Sequence, residues 1–189
     1  MSDANTELDA AIGQIEALNR AGRAEEALAA ARALVESYPD NPRAQFAYGS
    51  VLDALGREAE AVAPYQRALE LGLAGDELPR LYVQYGSTLR NLGKAWDAAH
   101  LLVEGRAQFP DYAPIRIFHA LALVSAGCAD EAAVELLDVI LANADRVNLN
   151  GYERALREYT ASLPVPADET AHCRRAPTSR PARSTCRQV

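Results

Sequence analysis

The chain has 189 residues, 49% of them apolar but only 6% aromatic, enough for one domain with a real core and weighted toward alanine and leucine, which lose little entropy in helices. The formal charge of −7 is uneven: from Ala161 onward five arginines against Asp168 and Glu169 give +3, which leaves −10 on residues 1–160. An acidic body argues against nucleic acid, no apolar run approaches the ~20 residues of a membrane span, and Cys128, Cys173 and Cys186 are too few for a disulfide framework.

The first residues, MSDANTELDA, lack the basic-then-apolar order of a secretory signal, so a soluble, cytoplasmic protein with no membrane partner is expected. Helical periodicity begins near residue 8. "LNRAGRAEEALAAARALVESYP" carries Gly22 between two helical stretches, and Pro39 closes the unit. The design then repeats. "YGSVLDALG" (residues 48–56) and "YGSTLRNLG" (residues 85–93) match at six of nine positions, and "LVSAGCADEAAVELLDVIL" supplies a fourth copy. Taking Gly22, Gly56, Gly93 and Gly127 as markers, the spacings are 34, 37 and 34, the period of helix–turn–helix repeats. The three extra residues fall in the turn-like "LGLAGDELP".

Each marker glycine turns the chain between a first and a second helix. Gly49 and Gly86 stand seven residues before their markers, inside the first helix, where glycine costs roughly 1 kcal/mol against alanine. Close helix–helix approach is the expected return. Ala27, Ala61, Ala98 and Ala132 are the small partners on the second helices, and Ala31, Tyr65, Leu102 and Leu136 are the next inward positions. Ile15 and Ala120 stand where the small mid-helix residue is expected, so the first pair is expected to splay or cap. Pro64 lies inside a second helix and is expected to kink it, and Gly105 replaces an alanine in the third unit. After the repeats, Leu149, Tyr152, Leu156, Tyr159 and Leu163 form one apolar stripe, expected as a capping helix over 149–163 with Asn148 or Asn150 as N-cap. Residues 164–189 have no period and are rich in Pro, Arg, Ser and Thr; a disordered tail is expected there.

On these residues the chain resembles the tetratricopeptide repeat family, and more narrowly its short bacterial members. The resemblance implies an all-α, right-handed superhelix with repeats at about 8–41, 42–78, 79–112 and 113–146 and a concave face lined by the first helices. It also implies non-catalytic binding of proteins or peptides, as a scaffold or adaptor. The family register places Glu16, Asn19 and Arg20 on that face, then Arg43, Phe46, Ser50 and Asp53, then Arg80, Gln84, Ser87, Arg90 and Asn91. Chaperone-binding relatives hold a C-terminal carboxylate with a clamp of lysine, asparagine and arginine. The matching positions here hold Ile12, Glu16, Ala47, Arg80 and Gln84, and only Arg80 fits.

The arginines Arg43, Arg80 and Arg90 suggest an acidic segment or C-terminal carboxylate as partner, since a guanidinium fork binds carboxylates in pairs of bonds. "IRIFHALALV" is apolar almost all round. Its Ile117, Phe118, Leu121 and Val124 are expected either under the capping helix or as an apolar contact for a partner or a second copy. No catalytic constellation stands out. Glu25–Glu26 and Asp130–Glu131 are helix-dipole acids, His100 and His119 are isolated, and His172, Cys173 and Cys186 lack the spacing of a zinc site. No metal or other cofactor is expected. The alternative reading is a regulatory or enzyme-associated domain that takes a small ligand in the groove.

Overall fold

The computed structural model describes residues 2–163, with side chains from residue 6. The Arg-rich tail, with His172, Cys173 and Cys186, lies outside them. Among the described residues there are nine helices and no strand. They are α1 (Ser2–Arg20), α2 (Ala24–Ser37), α3 (Pro42–Ala54), α4 (Glu58–Glu70), α5 (Glu77–Asn91), α6 (Ala95–Gln108), α7 (Ala113–Ser125), α8 (Ala129–Ala142) and α9 (Glu153–Ser162). α1/α2, α3/α4, α5/α6 and α7/α8 pair, and each pair stacks on the next, so that α1, α3, α5 and α7 lie side by side.

The turns explain the markers. At Gly56 the chain adopts φ +69°, and the Arg57 N–H reaches back to the Leu52 carbonyl while the Gly56 N–H bonds the Asp53 carbonyl. This closes orphan carbonyls at the helix end, in a conformation that a Cβ would strain. The same pair of bonds recurs at Gly22, Gly93 and Gly127. Asn41 caps α3, its Oδ1 accepting from the Arg43 and Ala44 N–H groups, with Pro42 at the first helical position.

The mid-helix glycines are contact points. A Cβ on Gly49 would lie 2.8 Å from the Tyr65 ring, and one on Gly86 would lie 2.7 Å from Leu102. Gly105 plays the reverse part, its α6 backbone receiving the Tyr82 ring of α5 at 2.7 Å from such a Cβ. In the first pair the sizes are exchanged. Ile15 and Ala31 occupy the positions of Gly86 and Leu102, and both are buried. The pair does not fall open, because the large residue has moved to the first helix and the small one to the second.

α4 runs unbroken through Pro64, which is buried. Leu73, in the longer loop that follows, is also buried and pins that insertion to the core. The final helix departs from expectation. It starts at Glu153, four residues late, and neither Asn148 nor Asn150 caps it. Asn150 instead takes φ +50°, and Asn148 Oδ1 accepts from its N–H, which makes an Asx-type turn that delays the helix. α9 packs on α8, and no residue of α9 is buried.

Candidate functional site

The side-by-side first helices α1, α3 and α5 enclose a half-open trough of about 770 Å³. Of the expected concave residues, Glu16, Asn19, Arg20, Phe46, Ser50, Asp53, Arg80 and Gln84 line it. So do the clamp-register residues Ile12 and Ala47. Arg43, Ser87, Arg90, Asn91, Ile117, Phe118 and Leu121 are not among the lining residues.

The floor of the trough is a built polar network. Gln84 Oε1 accepts from Ser50 Oγ at 2.6 Å and from Tyr65 Oη at 3.0 Å. Thr88 Oγ1 stands 2.9 Å from Asp53 Oδ1 and 3.0 Å from the Gln84 carbonyl, one hydroxyl serving both oxygens. Thr88 and Tyr65 are both fully buried, so the network is desolvated from below and held in one geometry. Burial, and then the neighbouring Asp53 charge, push the Tyr65 phenol far up, so it stays a hydrogen-bond donor. Burial also pushes the Asp53 carboxyl above its ordinary range, against the Thr88 hydrogen bond, and Glu58 adds to the rise.

Ion pairs organise the rim. Arg43 bridges three helices, bonding Asp9 of α1 and, through Nε at 2.8 Å, Glu77 of α5. It is a strut between helices rather than a free cation for a ligand. Arg80 holds Glu16 loosely at 3.4 Å, and its guanidinium carbon lies 5.8 Å from the centroid of the Phe46 ring. Phe46 lines the trough but is 4% exposed, its ring packed near Tyr65 in the core. Arg90 is half-buried and donates to Asn91 Oδ1, and its Nε is buried without a partner.

The fourth pair continues the inner surface as an apolar patch. Ile117, Leu121 and Val124 are exposed on α7, and α9 does not cover them, because it docks on α8. Phe118 differs: it turns inward and packs against the core around Tyr82 and Leu89. Glu135 of α8 is buried between Arg106 at 2.9 Å and Arg116 at 2.7 Å, which ties α6, α7 and α8 together beneath the patch.

Sequence reasoning missed Tyr65, Thr88 and Glu77 as parts of the site. Tyr65 was legible only as a second-helix core position. Its hydroxyl reaches the trough floor because Gly49 lets the ring cross the first helix. Among the described residues no helix is long and apolar enough to cross a membrane, and no group of three or more His, Cys, Asp or Glu could hold a metal ion.

A family model described as Tetratrico peptide repeat matches residues 42–163, and a second, described as Tetratricopeptide repeat, matches residues 6–75. No curated protein sequence matches the chain. Among solved structures, MamA MSR-1 C2 is similar with a TM-score of 0.64 at 14% identity, over 78% of this chain and 83% of its own. TTC0263, a thermophilic TPR protein of Thermus thermophilus, gives 0.62 at 20% identity, over 82% and 80%. YrrB, a TPR protein with an unusual peptide-binding site, gives 0.59 at 16% identity, over 86% and 88%. At these identities the likeness is one of fold: an all-α superhelix of stacked helix pairs.

Proposed function

The chain belongs to the tetratricopeptide repeat family, and from that premise we propose that it binds an extended peptide segment of a partner protein, without catalysis, along the inner surface of its first helices. The observation that supports this most is the trough itself. It is half-open, its floor is a pre-organised set of side chains rather than mobile surface groups, and the next first helix, α7, carries an uncovered apolar patch. A peptide gains from both features: polar contacts fix register, and apolar anchors supply burial energy. The half-open shape suits a peptide better than a small enclosed ligand.

The expectation of an acidic or C-terminal carboxylate partner rested on Arg43, Arg80 and Arg90. Asp9 and Glu77 already use Arg43, and Glu16 shares Arg80. The three apolar residues Ile117, Leu121 and Val124 would serve a partner's side chains or a second copy equally well, and sedimentation of the free protein separates those two uses.

Mapping of amide chemical shifts on the full-length chain tests the reading. Peptides selected on the protein from a random library should perturb α1, α3, α5 and α7. Perturbation confined to α2, α4 and α6 would refute it.

A further inference from the structure

Asp53 stands where the fold has no use for a negative charge. It occupies the last turn of α3, and the negative end of the helix dipole opposes an anion there. It is half-buried, and the like-charged Glu58 acts on it unfavourably. No arginine or lysine forms an ion pair with it among the described residues. Arg80 is engaged with Glu16, and Arg90, its counterpart one repeat on, bonds Asn91 instead. Arg20, on the trough rim, is exposed and forms no ion pair with it. Each of these features raises the free energy of the ionised carboxylate, and among the described residues none is compensated by an ion pair with a cation.

Repeat packing does not call for the acid either. The equivalent positions, three residues before each turn glycine, hold Asn19, Arg90 and Val124. Asp53 Oδ1 accepts from Thr88, and the Tyr65 hydroxyl, whose hydrogen bond goes to Gln84, gives the carboxylate a weaker, secondary contact. Both are neutral hydroxyls that an asparagine oxygen would serve as well, and the residue lines the trough.

Resting on the peptide-binding reading above, we infer that the trough takes an arginine or lysine side chain of the bound segment against the carboxylate of Asp53, so the partner is basic at that position. The ligand's cation supplies the counter-charge that the fold withholds. Asp53 thereby reads one side chain of the peptide, while Gln84 and Ser50 beside it hold the surrounding floor in place.

The test uses the full-length chain and a phage-displayed library of random linear peptides, selected in parallel on the wild type and on Asp53→Asn. The acidic body attracts basic peptides through its general field, but that field is nearly the same in both proteins, so the difference isolates the site. Selection on the wild type should enrich arginine or lysine at one position. Replacing that residue by citrulline or norleucine in a synthetic peptide should weaken binding to the wild type about tenfold or more, as for an interface hot spot, and leave binding to Asp53→Asn nearly unchanged. Enrichment of acidic residues, or dependence on a free C-terminal carboxylate, overturns the inference and leaves the peptide-binding reading standing. So does equal discrimination by the wild type and Asp53→Asn. A wild type that enriches no peptide defeats the peptide-binding reading, and the inference with it.

Discussion

Exchanging the sizes of one packed pair tests how the repeats are held together. Gly86 and Leu102 fill the position that Ile15 and Ala31 fill in the first pair. Leu102 is fully buried, and a Cβ on Gly86 would come within 2.7 Å of both its Cγ and Cδ1, closer than side chains tolerate. Gly86→Ile alone forces four carbons into that contact. Overpacking costs ~1–3 kcal/mol or more, and the better helix propensity of isoleucine returns only a few tenths. Leu102→Ala alone should lose ~2–5 kcal/mol, because a cavity opens beside the glycine. Together the two changes recreate the first pair, with the isoleucine filling the space the leucine left. The double variant should therefore be less destabilised than the sum of the singles by at least ~1.5 kcal/mol. Urea unfolding followed by helical circular dichroism on the four proteins measures this. Additive losses, or a Gly86→Ile protein as stable as wild type, would falsify the contact as the reason for the glycine.

Asp53→Asn should raise the urea midpoint at pH 7. Folding lifts the Asp53 carboxyl above its unfolded value, so its contribution is intact below the ordinary carboxylate pKa of about 3.9 and is lost as pH rises through the folded value. The advantage of asparagine, which keeps the bond from Thr88 and is free of the Glu58 charge, should vanish below about pH 4; equal midpoints at pH 7 would count against a strained carboxylate. Glu135→Ala should destabilise the fold by ~1–3 kcal/mol, since Arg106 and Arg116 each lose a charged hydrogen bond while staying partly exposed and Arg116 keeps Asp138, and an unfolding midpoint equal to wild type would show that the bridge adds nothing to the stack. Changing Ile117, Leu121 and Val124 together to serine should cost ~1–3 kcal/mol of stability, because Ile117 and Leu121 are 37% and 38% exposed and still bury part of their surface, while weakening the selected peptides measured by calorimetry. A larger fall in stability would place the three residues in the core instead.

The stack was legible because its rules are local and recur. A left-handed glycine at the end of each first helix, a small residue opposite a large one, and a period near 34 appear in sequence as matching letters at fixed distances. Two features were not. The last helix begins late because Asn150 adopts a left-handed turn bonded to Asn148, a choice that an apolar stripe through Leu149 and Tyr152 conceals. Phe118 turns inward because α7 is apolar on nearly every side, so periodicity could not say which of its large residues faces the core.

The polar surface obeys a rule that a single repeat cannot display. Asp9 meets Arg43, Arg43 meets Glu77, and Ser50 meets Gln84, each across 34 residues, while Asp53 meets Thr88 across 35. Asp9 and Arg43 are equivalent positions of neighbouring first helices, whereas α5 follows α3 at 37 residues, so Glu77, Gln84 and Thr88 stand two or three residues before the positions equivalent to Arg43, Ser50 and Asp53. Opposite charges on neighbouring first helices neutralise each other within the stack, and so Arg43, conspicuous as a cation in the sequence, is a structural strut. The converse follows for Asp53. One period back stands the neutral Asn19, and one period forward Arg90 is turned to Asn91, so the stack leaves this carboxylate without a counter-charge. In a solenoid whose neighbours settle most of their own charges, a half-buried charge left over on the inner surface is the place where a partner's chemistry has purchase.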